Sequence, residues 1–259
     1  MKTFDVNNFV IDRIIRGVAL SQKDDSILFS INQIQNASLN CASESTDAVD
    51  AMGTPIATFY RAKSAEFSAE NALFDMNLMA TQLGTAKKVA SAAAKIVAPA
   101  MESFTAEGNK YVLKHTPKAA PTEIYAINDD STFGVKYVQE TAASATAFAY
   151  TEADHSITLP TGLAAGTEMF VMYEYETENA VEVVNSAKNF PVGCKFVMEV
   201  LGCDVCDQTN LVYAYVIFNN AKLSPDFDWS IATDGSHPFS MQAQQDYCDK
   251  EKRLELIAA

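Results

Sequence analysis

Apolar and polar residues alternate along much of the chain, and this alternation predicts β-strands. The run 211–218 is dense in β-branched and aromatic residues and stops at Asn219-Asn220, which is typical of a strand entering a turn. Apolar residues alternate with polar ones again in 226–232 and 239–244, separated by a turn at Asp234-Gly235. The pattern therefore predicts a β-meander, and a short strand or helix closes the chain around Leu254–Ile257.

The N-terminal part has the same alternating character. The run 9–20 fits a helix or a strand, and its type stays open. Strands are expected at 26–34 and 37–46, and a further extended run follows at 56–67. Asp50, Gly53 and Pro55 are turn formers. We therefore expect a hairpin with a long acidic loop from Glu44 to Gly53.

One helix is predicted after these strands. Ser68 can cap its start, apolar residues follow at spacings of three and four from Leu73 to Leu83, and Gly84 ends it. The next stretch, 86–100, is rich in small residues and ends near Pro99. It fits either a continuation of the helix or a low-complexity crossing segment.

From 104 to 176 the pattern is that of strands with turn signals about every ten residues. Strands are expected near 110–114, 122–127, 134–138, 148–150, 157–159 and 169–175. Beyond them, 190–201 alternates with Phe196, Met198 and Val200 on one face. This strand should pair with 211–218 across a loop from Gly202 to Asn210.

Composition narrows the class of protein. The chain has 259 residues, 48% of them apolar, which is ample for a core. Its formal net charge of −14 argues against tight binding to a phosphate backbone, because affinity for DNA comes mainly from cationic contacts. We see neither an apolar run long enough to span a membrane nor a signal peptide, so we expect no membrane partner and synthesis in a cytoplasm. Five cysteines in a chain of this length favour reduced thiols over a disulfide framework.

The order of elements resembles a known family. A strand, the "NAKLS" corner, a strand, "DG", a strand and a short closing strand follow one another from 211 to 257, as in the C-terminal part of the major tail tube proteins of long-tailed bacteriophages. These are related to the inner-tube proteins of contractile injection systems. The N-terminal third is also similar: a polar strand, acidic residues, a D-x-x-G corner at Asp50–Gly53 and a strand running to Lys63.

The resemblance implies a mainly β fold, an antiparallel sandwich or partial barrel of tail-tube type with one packed helix. Residues 1–116 and 179–259 would form the tube domain, and the loop 44–53 would reach a neighbouring ring or subunit. The β-rich segment 117–178 is either an inserted immunoglobulin-like domain or the other half of the tube sandwich. Ala165-Gly166-Thr167 followed by an alternating strand resembles the end of immunoglobulin-like additions on phage structural proteins.

The resemblance also implies a virion structural protein that is assembled in the host cytoplasm. Homo-hexameric rings would stack into a tail tube through which DNA passes only as cargo during ejection. Partners would be the tape measure protein, the tail terminator, baseplate or tail-tip proteins, and in some tails a sheath. Polar strand faces such as 26–32 and 38–44 would suit a wet lumen.

Candidate chemistry is sparse. Cys203 and Cys206 form a C-x-x-C, to which Cys194 and Cys248 could add two more thiolates for a tetrahedral zinc site. A single pair without a second knuckle favours ordinary loop thiols over a zinc site or a redox pair. The pairs Asp24-Asp25, Asp129-Asp130 and Asp226/Asp228 could bind calcium or act as glycosidase carboxylates, but acids in turns commonly serve as caps.

No nucleophile, Walker or dinucleotide motif is present in the sequence. The histidines His115, His155 and His237 fit surface or turn positions, and Trp229 fits a core anchor. We therefore assign no catalytic, cofactor-binding or metal-binding residue and expect no enzyme. The competing interpretations are an immunoglobulin-like binding or decoration module that uses 117–178, and a hydrolase, for which Asp226, Asp228 and His237 would be examined first.

Overall fold

A computed structural model describes residues 8–245 and 254–258 of the chain. Their contacts define two compact units, one formed by Met1–Lys87 together with Val183–Ala259 and the other by Lys88–Glu182. The segment 117–178 lies inside the second unit. Its status as an inserted domain, and the boundaries 1–116, 117–178 and 179–259, stay predictions.

Strands dominate both units. In chain order the elements are β1 (Phe9–Ser21), β2 (Ile27–Ile31), β3 (Ile34–Val49), β4 (Pro55–Asn71), α1 (Met76–Gln82), β5 (Lys88–Val89), β6 (Ile96–Thr105), β7 (Lys110–Val112), β8 (Glu123–Ile127), β9 (Phe133–Glu140), β10 (Ala147–Thr151), a 3₁₀ turn (Glu152–Asp154), β11 (Ser156–Thr158), β12 (Glu168–Thr177), β13 (Val181–Glu182), β14 (Gly193–Asp204), β15 (Asp207–Leu223), β16 (His237–Ala243) and β17 (Glu255–Ala258). The predicted class, mainly β with one packed helix, is confirmed.

The first unit is an antiparallel sheet that curls into a half-barrel. Its order is β2-β1-β14-β15-β16-β4-β3, and β17 adds to β15. The run 9–20, whose type the sequence left open, is strand β1. The predicted pairing of β14 with β15 is confirmed, with Phe196 opposite Phe218 and Val200 opposite Ala214.

The core of this unit lies on one face of the sheet. Five phenylalanines form its centre, with ring centroids 5.8–6.3 Å apart where they meet: Phe29, Phe67, Phe196, Phe218 and Phe239. They come from five strands, so the alternating apolar residues of β2, β4, β14, β15 and β16 converge on one cluster. Burying several aromatic side chains provides much of the stability of a sheet of this kind.

The helix begins later than predicted. Ser68 lies in β4, and Asp75 caps α1 by accepting hydrogen bonds from the backbone N–H groups of Asn77 and Leu78 at 2.8 and 2.7 Å. The reason is that the alternation of β4 continues to Asn71 and outcompetes the weaker helical spacing. Gly84 ends the helical segment as predicted, with φ +65°, a conformation that glycine adopts without strain.

Two predictions in the C-terminal meander are wrong. β15 does not turn at Asn219-Asn220 but continues to Leu223, because Ala221–Leu223 pair with Met241–Ala243. The alternating run 226–232 is not a strand; it belongs to the connection between β15 and β16. Its aromatic residues pack on other rings instead of a strand, and Ile231 is exposed. The predicted short closing strand is confirmed as β17.

Two predicted loops are shorter than expected. β3 and β4 pair as far as Val49 and Pro55, so most of the loop predicted at Glu44–Gly53 is strand and the turn covers only 50–54. Similarly, β14 and β15 leave only Val205 and Cys206 between them in place of the loop 202–210. Backbone pairing of an antiparallel hairpin continues towards the turn even where side chains are polar, which hydrophobic alternation does not reveal.

The second unit is a seven-stranded sheet with the order β6-β12-β8-β9-β10-β11-β7, in which β9 and β10 are parallel. Alternate residues of β6, β8 and β12 form its core together with residues of β10 and β11. Its fully buried side chains include Ile124, Phe148, Ile157, Met169 and Val171. The strands expected between 110 and 175 are confirmed. Neither alternative for 86–100 is correct, because this stretch contains β5 and enters β6, paired with β13 and β12.

Candidate assembly surface

The hairpin of β3 and β4 extends beyond the sheet that anchors it. Ala65 and Phe67 are buried in the core, whereas every side chain from 55 to 64 and from 35 to 47 is exposed. We call the exposed part, residues 42–64, the ribbon. Because each residue of a strand adds about 3.3 Å, eleven residues beyond the core place the tip roughly 35 Å away from it. A ribbon exposed on both faces has little to stabilise it within the subunit.

The tip of the ribbon is a closely hydrogen-bonded turn. Asp50 accepts hydrogen bonds through Oδ1 from the backbone N–H groups of Met52 and Thr54, both at 2.9 Å. The N–H of Gly53 donates to the carbonyl of Asp50 at 3.0 Å, and Gly53 has φ +83°. The carboxylate of Asp50 is thus used inside the turn, and Met52 is left projecting with 89% of its surface exposed.

A bulge in β4 changes which residues share a face of the ribbon. Ser43 pairs with Lys63 but Glu44 pairs with Arg61, so Ala62, with φ +33°, is the extra residue. Apolar side chains are exposed beyond this bulge at Val49, Met52, Ile56, Phe59 and Tyr60. Clustering of exposed apolar residues on a projecting element is typical of an interaction surface.

An apolar groove lies at the base of the same hairpin, on the face of the sheet that carries the core. Its cavity has a volume of about 250 Å³. β1 and β3 line its sides and β4, β14 and β15 its floor, through Ile11, Ile14, Leu39, Phe67, Met198, Val200 and Val216. Ile11 and Leu39 are about half exposed at its rim, whereas Phe67 and Val200 are buried.

The sheet of the first unit has an edge strand on each side. Its order ends at β2 on one side and at the sixteen-residue β3 on the other. β17 pairs with residues 214–217 of β15 and exposes Leu256. Edge strands present backbone N–H and C=O groups that can accept a strand of another chain.

His237, which the sequence placed on the surface or in a turn, is fully buried. Its Nδ1 accepts a hydrogen bond from the backbone N–H of Asp75 at 3.4 Å, and its Nε2 lies 2.8 Å from Oε1 of Gln82. With Nδ1 an acceptor, Nε2 carries the proton and donates to Gln82. Burial lowers the pKa of His237, while the carboxylate of Asp75 partly opposes this effect. The ring is therefore a neutral link between β16 and α1.

Trp229 is also not the core anchor that was predicted. It is half-buried and stacks on Phe74, with ring centroids 4.2 Å apart, and Phe74 in turn stacks on His237. Asp226 and Asp228 line an open cavity of about 450 Å³ with Glu70 and Ser236. His237 turns instead towards Gln82, so these three residues do not converge into the hydrolase site that their closeness in sequence allowed.

The cysteines do not meet as a zinc site would require. Cys203 and Cys206 lie at the turn between β14 and β15, and Cys194 is nine residues away along β14, roughly 30 Å by strand geometry. Cys194 is buried in the core, which raises the pKa of its thiol to about 11. Cys248 lies outside the described residues. Within residues 8–245 and 254–258, no group of three His, Cys, Asp or Glu side chains could hold a metal ion.

In two of the acidic pairs that the sequence suggested for calcium binding, one carboxylate accepts hydrogen bonds within a turn. Asp24 accepts from the N–H and hydroxyl of Ser26, and Asp130 accepts from the N–H and hydroxyl of Thr132. The hydroxyl of Ser21, together with the hydrogen bonds from Ser26, lowers the pKa of Asp24, and the hydrogen bonds from Thr132 lower the pKa of Asp130. Of the other histidines, His155 lies at the end of the 3₁₀ turn, as expected for a turn residue, and His115 stacks on Tyr175.

The second unit contains a buried carboxylate that the sequence did not reveal. Glu102 is 2% exposed and accepts hydrogen bonds from the hydroxyls of Tyr111 and Tyr173 and from the backbone N–H of Lys114. Burial, together with the hydrogen bond to Glu102, raises the pKa of Tyr111 to about 12 and raises that of Tyr173 further. In the sequence, Glu102 occupies a position on the apolar face of β6, between Ala100 and Phe104, and this placement is the signal that could have indicated the network.

The geometry thus contains edges, a projecting ribbon and an apolar groove, which serve association more readily than catalysis. In the described part of the chain, no helix is long and apolar enough to cross a bilayer. No curated protein sequence matches the chain. The profile of the YomU/Tube protein family matches residues 9–252, nearly the full length. The chain therefore belongs to the YomU/Tube protein family, a family of structural proteins, and its role is that of a tube-like component of a phage tail.

Proposed function

We propose that the protein assembles into hexameric rings that stack to form the tail tube of a long-tailed phage, the conduit for DNA ejection. The observation that carries the proposal is the ribbon, whose exposed apolar end and sixteen-residue edge strand have no use within one subunit. Strand edges of this length are an aggregation hazard in a free protein, and joining them around a closed ring removes the hazard.

The charge of the protein supports passage of DNA without binding to it. A chain with a net charge of −14 offers few cationic contacts to phosphates, so a lumen lined by its polar faces would repel the DNA backbone. The same charge opposes association of subunits. Because salt screens repulsion between exposed charges, assembly should be favoured as ionic strength increases from about 10 mM to physiological values.

The remaining assignments rest on the family and the resemblance. The tape measure protein would occupy the lumen before DNA does, terminator and baseplate or tail-tip proteins would bind the two ends, and a sheath would surround the tube in a contractile tail. Assembly would take place in the host cytoplasm, and the product would be part of the virion.

Negative-stain electron microscopy and light scattering over a concentration series test the proposal. We expect six-fold rings and stacked hollow tubes. A shortened variant, in which Asn-Gly replaces 45–60 between the paired residues Glu44 and Arg61, keeps the core and a two-residue hairpin turn. It should stay folded, with unchanged circular dichroism, and lose the tubes. A wild-type protein that remains monomeric at every concentration and ionic strength would contradict the proposal.

One observation favours a second role for the second unit. Tyr125, Phe133 and Phe170 form an aromatic cluster on the face of its sheet opposite the core, with neighbouring ring centroids 5.1 and 5.5 Å apart, and Phe133 is 61% exposed. An exposed aromatic cluster on a sheet fits a binding or decoration module on the virion. Phe133→Ser should leave tube formation unchanged and reduce adsorption to host cells if this role exists. Equal adsorption by both proteins would exclude it.

A further inference from the structure

We infer that Met52, at the ribbon tip of one subunit, inserts into the apolar groove of a neighbouring subunit. This inference rests on the proposed self-assembly and identifies the two surfaces that meet. The occupant of the groove is a second copy of this chain.

The groove is open and apolar, so an apolar group that fills it removes its side chains from water. Seven of its lining residues carry apolar side chains of valine size or larger, and the cavity measures about 250 Å³. An apolar cavity of about 150 Å³ accommodates benzene, so this groove has room for a methionine side chain. Methionine is unbranched and adapts to irregular apolar spaces.

The ribbon of the same subunit cannot fill the groove. Leu39 lines the groove, and β3 continues from there for ten further residues to Val49 before the hairpin turns. At about 3.3 Å for each residue, Met52 lies more than roughly 30 Å from its own groove. A knob and a groove at different places on one chain make a heterologous contact, which generates rings or open stacks of subunits instead of closed pairs.

Charge complementarity also favours a second copy. The distal part of the ribbon, 45–60, carries the two acids Asp47 and Asp50 and no lysine or arginine. Lys63 projects from the same face as Phe67, and no ion pair of Lys63 occurs among the described residues. A neighbouring tip seated in the groove brings its acids towards this lysine, where opposite charges favour encounter.

The turn at the tip is suited to insertion because it is already ordered. Hydrogen bonds from Met52 and Thr54 to Asp50 hold the backbone, so docking orders few additional torsions apart from those of the Met52 side chain. Preorganisation of this kind reduces the entropy lost on binding.

Cross-linking tests the contact directly. Cys41 lies on the same face of β3 as Leu39, one row further from the groove, and is exposed. In Met52→Cys protein, a short bismaleimide should link position 52 to Cys41 of another chain and produce a ladder on denaturing gels, with the linked peptides identified by mass spectrometry. In the control, Cys41→Ser with Asn40→Cys moves the thiol to the opposite face of the strand and should abolish that link.

Assembly of charged variants gives an independent measurement. Met52→Glu and Ile11→Glu alter exposed positions at the tip and the groove rim, so the subunit should stay folded. Each should lower the assembled fraction about tenfold or more at the concentration where wild type is half assembled. Val112→Glu, at a position of similar exposure in the second unit, is the matched control and should assemble like wild type.

The outcomes separate this inference from the proposed function. If wild type forms tubes but both charged variants form them equally well, or if position 52 links elsewhere than the groove face, the contact is wrong and tube formation stands. If wild type never assembles, the proposed function fails. The contact is supported if both charged variants lose assembly, if position 52 is linked to Cys41, and if the Cys41→Ser, Asn40→Cys control gives no such link.

Discussion

Nε2 of His237 donates a hydrogen bond of 2.8 Å to Oε1 of Gln82 and thereby joins strand β16 to helix α1. Gln82 in turn donates through Nε2 to the carbonyl of Pro238 at 3.1 Å. Both side chains are fully buried, so their polar atoms have no access to bulk water. The single helix of the described chain is thus held on the half-barrel by a polar link as well as by Leu78, which packs into the core.

Replacing Gln82 with leucine should destabilise the first unit. The substitution leaves the buried N–H of His237 and the carbonyl of the half-buried Pro238 without these partners, and a buried group in that state costs about 1–3 kcal/mol. Urea unfolding followed by circular dichroism measures the loss. Gln242→Leu, at an exposed glutamine on β16, is the control and should change stability by less than about 0.5 kcal/mol. Equal stability of the Gln82 variant and wild type would contradict the assigned link.

Stability should also depend on pH through His237. Burial lowers its pKa in the folded protein below the ordinary value of 6.5, so the unfolded chain binds the proton more readily. The contribution of the neutral ring is fully present above pH 6.5 and is lost progressively as the pH falls below that value towards the lowered folded-state pKa. A protonated Nδ1 would face the N–H of Asp75, donor against donor.

The difference between wild type and His237→Gln isolates this effect from that of other titrating groups. The free energy of unfolding of wild type should fall more steeply between pH 6.5 and 5 than that of the variant. Parallel pH profiles for the two proteins would mean that His237 does not titrate as its surroundings require.

Glu102 should contribute to the stability of the second unit and not to that of the first. Glu102→Gln replaces one carboxylate oxygen with a donor that faces a tyrosine hydroxyl, and the loss of a charged acceptor for three donors should cost about 1–3 kcal/mol. Hydrogen exchange with peptide resolution measures it. Protection should decrease in 88–182 and stay unchanged in the first unit. A decrease throughout the chain would show instead that the two units unfold together.

Thiol labelling should separate the cysteines by burial. The pKa of Cys194, about 11, and its full burial predict negligible reaction with a maleimide at pH 7.5, whereas Cys41 and Cys206 are exposed and should react within minutes. Mass spectrometry of peptides measures each site. In about 6 M guanidinium chloride, Cys194 should react like the others. Rapid labelling of Cys194 in the native protein would contradict its place in the core.

Several elements could be predicted from the sequence because their physical cause is local. Alternation of apolar and polar residues predicted β14, β16, β8 and β12, since one face of each is buried. Gly84 indicated the end of the helical segment because its positive φ is a local requirement. Alternation was misleading in 226–232, where Trp229 stacks on Phe74 and Phe227 packs against His237 instead of joining a sheet.

The sequence by itself determined the class of this protein: a mainly β chain with one helix, an acidic composition and the element order of a tube protein. Only the tertiary structure decided which residues meet. Burial of His237 and Glu102, the separation of Cys194 from Cys203, and the formation of the apolar groove from β1, β3, β4, β14 and β15 depend on residues up to about two hundred positions apart. Local propensity determines strands and turns, whereas strand order and register determine sites.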